Sequence, residues 1–204
     1  MIIHTIPVGI YQANCYILSS EKSSSGLIID PGDEPEKIKN YLNEHNITVK
    51  SILLTHAHFD HIMGVREVKG KAKIYLHEED LPLYENLKLQ AHSYGIDTYD
   101  SPPVDAFLNG GNVLESDDIK IEVIHTPGHS PGSCCFKIEN NLFTGDTLFK
   151  MGVGRTDLWK GSHVQLIQSI NDKLFFLDDT TTVYPGHGDI TTIGDEKAAN
   201  PFLT

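Results

Sequence analysis

Cysteine is scarce in this chain, and the scarcity narrows the possibilities first. Three cysteines, Cys15, Cys134 and Cys135, occur in 204 residues. The number is odd and sequence neighbours rarely bridge, so no disulfide framework is expected and a reducing, cytoplasmic setting fits. Basic residues are also short. Sixteen Lys and Arg against 28 Asp and Glu leave a formal net charge of −12, with no basic stripe to offset it, which disfavours nucleic acid as a partner. Long apolar runs are missing too. None approaches the roughly 20 residues of a membrane span, and Met1 to Val8 has neither a basic leader nor a long apolar segment, so neither a signal peptide nor membrane association is expected. What remains, 39% hydrophobic and 22% charged residues, is ordinary globular composition. The length suits one domain, residues 1–204, around one well-buried core. Nothing in the composition indicates an oligomeric state.

The densest chemistry follows the apolar run Val49 to Leu54, which reads as a buried strand. Immediately after it come Thr55-His56-Ala57-His58-Phe59-Asp60-His61. Four metal-ligand side chains thus fall within six residues, as His-x-His-x-Asp-His. A solvated polar turn explains one histidine but not this alternation. In an extended segment His56 and His58 point the same way, and Asp60 and His61 turn elsewhere, so two ions are served. Imidazole with carboxylate suits zinc, iron or manganese, and the lack of cysteine argues against a closed structural zinc site. Further ligand types appear where other apolar runs end in Gly or Pro turns: His129 in His125-Thr126-Pro127-Gly128-His129, Asp146 after Asn141 to Gly145, and His187 in Tyr184-Pro185-Gly186-His187.

The remaining pattern gives strands at Ile2 to Val8, Asn14 to Ser19, Gly26 to Asp30, Lys73 to His77, Asn112 to Glu115, Ile119 to Ile124, Ser133 to Ile138, Asn141 to Thr144 and Thr181 to Tyr184. Helices are expected at Glu34 to His45, Ile62 to Val68, His163 to Leu177 and, as one helix or a pair, Glu78 to Tyr94, whose acidic start suits the helix dipole. Gly9 and the tract Glu21 to Ser25 supply turns, and residues 95–118 read as an irregular loop with a hairpin entry. Cys134 and Cys135 in a strand should point one inward and one outward. Strands that outnumber helices, with helices interrupting both halves, suit two packed sheets covered by helices, an α+β arrangement.

Taken together, these motifs resemble the metallo-β-lactamase-fold superfamily and, within it, the short glyoxalase II-like (hydroxyacylglutathione hydrolase-like) hydrolases, over Asn14 to Phe202. The resemblance implies an αββα sandwich: two mixed β-sheets packed face to face with helices on the outer faces. It also implies a ligand set. His56, His58 and His129 would hold one divalent cation, Asp60, His61 and His187 a second, and Asp146 would bridge them together with a hydroxide. Zinc is the expected metal, with iron or manganese as alternatives. Asp60 would also orient the nucleophile, and Asp30, at the end of Leu27-Ile28-Ile29, would support the ligands from behind instead of merely forming a turn. His125 would stand behind His129 without ligating. His4, His45, His77, His92 and His163 lack companions at ligand spacing.

The implied activity is hydrolysis of a small-molecule thioester of the S-lactoylglutathione type. Only Gly188 to Thr204 follow the last ligand, too few for the helical domain that supplies glutathione contacts in full-length glyoxalase II. Arg155, in Gly152-Val153-Gly154-Arg155-Thr156-Asp157, either grips an anionic substrate group or pairs with Asp157. The alternative activity is a persulfide dioxygenase using mononuclear non-haem iron. A non-catalytic metal-binding module is a further alternative, and lactam or nucleic-acid hydrolysis are lesser ones.

Overall fold

A computed structural model describes residues 1–20 and 22–203; Glu21, part of the expected turn tract, and Thr204 lie outside the described residues. Two six-stranded sheets form the centre. The first runs β1 (Ile2–Val8), β2 (Ala13–Ser19), β3 (Ser25–Ile29), β4 (Thr48–Leu53), β5 (Lys73–His77) and β6 (Ala106–Leu108). Its first three strands are an antiparallel meander and its last three add in parallel. The second comprises β7 (Val113–Ser116), β8 (Ile119–His125), β9 (Cys134–Ile138) and β10 (Asn141–Gly145), with β13 (Thr182–Pro185) parallel to β10 and β14 (Thr191–Thr192) at the edge. A small ribbon, β11 (Leu148–Phe149) and β12 (Gly152–Val153), stands apart. Both large sheets are therefore mixed.

Alternation along the strands builds three buried layers. Between the sheets, Tyr16, Leu18, Leu27, Ile29 and Leu53 face Val123, Cys134, Phe136 and Phe143. The alternate residues Cys15, Ile17, Ile28 and Ile52 face outward, beneath the helices α1 (Pro35–Glu44), α2 (Phe59–Ile62), α3 (Val65–Val68), α4 (Leu81–Glu85) and α5 (Leu87–Ser93). On the far side Cys135, Leu142 and Val183 pack against α6 (His163–Ser169), its continuation Ile170–Leu174, and α7 (Ile193–Ala199). The order of layers is thus αββα, a metallo-β-lactamase-like sandwich. Among the described residues no helix is long and apolar enough to cross a membrane.

Several local expectations change for identifiable reasons. The helix expected from Ile62 to Val68 is two single turns, and it begins earlier, at Phe59. Gly64 interrupts it because its N–H reaches the carbonyls of Pro31 and Gly32, at 2.9 Å each, and a Cβ there would press on the Pro31 carbonyl oxygen. Glu78 to Tyr94 divides into a 3₁₀ turn, Glu78–Asp80, followed by α4 and α5. Residues 95–118 hold β6, an edge strand that pairs with β5. Both Cys134 and Cys135 are buried, because the outward face of β9 is covered by helix.

The inter-sheet layer should dominate stability. Phe136→Ala, at a fully buried site, is expected to cost about 3–5 kcal/mol. Phe176→Ala, at a residue 83% exposed, is expected to stay within about 0.5 kcal/mol. Urea unfolding of the two variants checks the difference.

Candidate metal centre

The ends of four strands deliver the predicted side chains. β4 runs through Leu54 and Thr55 into His56 and His58, and the first turn of α2 carries Asp60 and His61. β8 ends four residues before His129, β10 ends directly before Asp146, and β13 ends two residues before His187. Backbone hydrogen bonds stitch these ends together. Gly186 N–H donates to Gly145 O at 2.8 Å, Cys134 N–H to Thr55 O at 2.7 Å and Asn14 N–H to Gly186 O at 2.7 Å. Gly186 must be glycine for contact reasons, since a Cβ there would strike the Asp146 carboxylate.

Two triads result. His56, His58 and His129 form one and Asp60, His61 and His187 the other, with candidate ligand atoms in each within 4.8 Å of one another. Asp146 stands between them: Oδ1 is 3.4 Å from His61 Nε2, and Oδ2 is 3.6 Å from His129 Nε2 and 3.7 Å from His187 Nε2.

Hydrogen bonds on the far side of the rings settle where the protons sit. His129 Nδ1 donates to Arg155 O at 2.7 Å, His187 Nδ1 to Tyr11 O at 3.0 Å and His61 Nδ1 to Asp30 Oδ2 at 3.0 Å. The Thr55 hydroxyl donates to Asp30 Oδ2 at 2.6 Å, so its oxygen accepts the Nδ1 proton of His56 at 3.0 Å. In the neutral rings all four Nε2 atoms then carry a lone pair and no proton, that of His129 facing His58 Nδ1 as well. Yet His56 Nε2 and His129 Nε2 are 3.3 Å apart, and His61 Nε2 and His187 Nε2 are 3.2 Å apart. Facing lone pairs repel, His58 turns its Nδ1 toward His129 Nε2 at 2.8 Å, and Asp146 Oδ1 is buried with no hydrogen-bond partner among the described residues. Divalent cations suit this donor set, because they accept every one of these lone pairs at once.

The titration behaviour divides the two triads. Burial, reinforced by the neighbouring imidazoles, holds His56 well below the usual histidine range and pushes His58 down to about 3. Burial opposes protonation of His61 as well, but Asp146, Asp60 and Asp30 outweigh it and raise that group well above the usual range, so where no cation is bound a proton on the ring takes the place of that charge. His187 is raised for the same reason, by Asp60 and Asp146. Asp146 is held well below the carboxylate range, because His61, His129 and His56 overcome its burial. Asp60 is lowered likewise by His61 and His187.

Asp30 makes no turn-type bond to its nearest neighbours with its carboxylate. Its oxygens take the Thr55 N–H at 2.8 Å, the Thr55 hydroxyl and His61. One buried acid thereby orients a ring in each triad. Asp80 escaped notice in the sequence, where Glu78-Glu79-Asp80 reads as an acidic helix start. It turns inward instead, fully buried, and accepts from Ala57 N–H at 3.0 Å, Ser130 Oγ at 2.7 Å and Gly132 N–H at 2.6 Å. It ties the loop of His56 and His58 to the loop of His129. Its position just past the end of β5, matching the other strand-end acids, was the available signal.

Other histidines find local partners. His4 stacks on Tyr41 at 3.8 Å and Tyr41 on His45 at 4.1 Å. His77, expected to stand alone, stacks on His125 at 4.0 Å with Glu79 close by. Their planes are within 10° of parallel, so their in-plane lone pairs lie in separate layers and cannot share one ion. Arg155 pairs with Asp157 through both oxygens, at 2.7 and 2.8 Å.

Two outcomes follow. Chelation of bound metal should lower the melting temperature by about 5–10 °C, reversed by added Zn²⁺, as expected when a ligand present at about a hundredfold over its Kd is withdrawn from a chain of this size. Asp80→Ala should weaken metal binding by about 10–100-fold in a competitive-chelator titration, with Asp80→Asn partly restoring it.

The sequence compares with known proteins over nearly its full length. Residues 8–187 match the Metallo-beta-lactamase superfamily. The hydroxyacylglutathione hydrolase GloC of Haemophilus influenzae is 39% identical, over 100% of this chain and 98% of that one. Among solved structures, the BLEG-1 B3 metallo-beta-lactamase superposes with a TM-score of 0.94 at 39% identity, covering 100% of both chains. TTHA1623 in a di-iron-bound form gives 0.91 at 38%, covering 98% of this chain and 100% of that one. ETHE1 from Myxococcus xanthus gives 0.83 at 25%, covering 98% and 84%. Similarity of this extent, on a sandwich whose strand ends gather histidine and aspartate into two adjoining triads, means that the chain belongs to the metallo-β-lactamase superfamily.

Proposed function

We propose that this protein is a dinuclear metal-dependent hydrolase that cleaves a 2-hydroxyacyl thioester of the S-lactoylglutathione type. The observation that carries the reading is the second triad. Asp60, His61 and His187 stand beside His56, His58 and His129 with Asp146 between them, which is a ligand set for two cations and more than a mononuclear iron site needs. Zinc is the proposed metal; the same ligands accept iron or manganese.

When bound, such cations lower the pKa of water toward neutrality and polarise a carbonyl. The side chains do the rest. Asp60, kept ionised by His61 and His187, lines the cleft and accepts a hydrogen bond from the attacking water. Asp30 and Asp80 hold the rings and loops in place behind it. The water oxygen bonds to the acyl carbon and gives up one proton, which passes by way of Asp60 to solvent; the C–S bond breaks, and the sulfur departs with the bonding pair as thiolate, leaving the free acid. Among the described residues that line the cleft the only carboxylates are Asp60 and Asp146, both held ionised, so no carboxylic acid there protonates a poor leaving group, whereas a thiolate leaves without one.

The similarity to hydroxyacylglutathione hydrolase GloC supports this reading, and the likeness to ETHE1 favours the oxygenase alternative. The proposal includes one domain spanning the chain, a small-molecule substrate with neither nucleic acid nor membrane as partner, and a cytoplasmic setting suited to three free, buried cysteines.

Metal-loaded protein should hydrolyse S-lactoylglutathione under strictly anaerobic conditions. Oxygen uptake with glutathione persulfide, and no thioester turnover, would instead make it a dioxygenase. Asp60→Asn should lower kcat by about 10²-fold or more.

A further inference from the structure

The cleft above the candidate ligands has a volume of about 570 Å³, far more than a lactoyl group fills, and its walls are chemically one-sided. Tyr11, Phe59 and Tyr94 form a ring cluster in which Phe59 and Tyr94 stack at 4.7 Å and Tyr11 meets Phe59 edge-on at 5.5 Å. A second apolar set, Phe149, Leu158 and Trp159, lines the same cleft. These sets adjoin both triads. Tyr11 holds His187 through its carbonyl, and the segment bearing Leu158 and Trp159 begins at Arg155, whose carbonyl holds His129.

Away from the candidate metal ligands, charge is nearly absent from the walls. Arg155 is the one fixed cation among the described residues that line the cleft, and both oxygens of Asp157 neutralise it. The walls beside the ligand groups present mainly rings and aliphatic carbon, with Gln90 and Ser93 as uncharged polar groups, and Lys160, outside the lining, spends its charge on the Trp159 ring, 4.6 Å from the centroid. Tyr94 and Trp159 remain 45% and 40% exposed, so they hold apolar area that a substrate can remove from water.

We propose that the preferred acyl group carries an uncharged aryl or comparably large apolar side chain. This rests on the thioesterase reading above and specifies its substrate class. The reaction is unchanged: water adds to the acyl carbon, the C–S bond breaks, and an aryl-substituted 2-hydroxy acid and a thiol are released.

The test holds the thiol constant and varies the acyl group. Metal-loaded protein should hydrolyse S-mandeloylglutathione with kcat/KM at least about tenfold above that for S-lactoylglutathione, since even one methylene in an apolar pocket is worth about tenfold or more. Tyr94→Ala, at a half-exposed residue, should bring that ratio toward unity. Binding has its own readout, because Trp159 is the chain's single tryptophan: mandelate should change its fluorescence at about a tenth of the concentration that lactate requires. Equal or lower turnover of the mandeloyl ester, or equal fluorescence midpoints, would overturn the preference and leave the thioesterase reading standing. Turnover of neither ester would remove both.

Discussion

Imidazole nitrogens do not gather face to face without a reason. Four of them here have their protons committed to groups behind the rings, the carbonyls of Arg155 and Tyr11, the carboxylate of Asp30 and the hydroxyl of Thr55. Their opposite lone pairs then point at one another across little more than 3 Å, with the buried Asp146 carboxylate alongside. That convergence is electrostatically unfavourable unless positive charge sits within it, and folding energy from elsewhere must hold it. The sandwich, the tight strand ends and the buried acids behind the site all bear on this constraint.

Several devices hold the ligands in register. Asp30 and Asp80 are buried acids whose partners lie on the ligand loops, so each exchanges its own desolvation for three charge-assisted hydrogen bonds. The carboxy-terminal segment acts at longer range. Buried Glu196 on α7 accepts the Met151 N–H at 2.9 Å, and Asn200 donates to Gly152 O at 3.1 Å. Both fix the stretch that leads to Arg155, and the carbonyl of Arg155 in turn sets the tautomer of His129. A short terminal helix thereby influences a ring it does not touch.

The same stretch also forms part of the cleft wall. Pairing with Asp157 leaves Arg155 in the wall of the cleft as the flat alkyl and guanidinium face of a neutral unit. Aromatic and aliphatic groups dominate around it. The polar groups are therefore concentrated at the floor and the walls are apolar, which under the proposed thioesterase reading assigns reaction type and substrate choice to different residues.

The candidate ligand residues were legible in the sequence because their pattern is local. His56, His58, Asp60 and His61 sit within a few residues of one another, and His129, Asp146 and His187 each follow an apolar run and a Gly or Pro turn, so strand periodicity marked them as candidates and the family resemblance grouped them. The two sheets were legible for the same reason, since alternation and turn chemistry act over a few residues. What tertiary structure alone decided depends on partners remote in the chain. Asp80 looks like a helix-starting acid until the fold sets it against Ala57, Ser130 and Gly132. The outward Cys135 is buried only because α6 covers its sheet, and the edge strand β6 exists only because β5 is there to pair with it. The aromatic cleft joins residues from Tyr11 to Trp159. A sequence records what each residue does to its near neighbours; the contacts that close over a hundred residues are decided by packing.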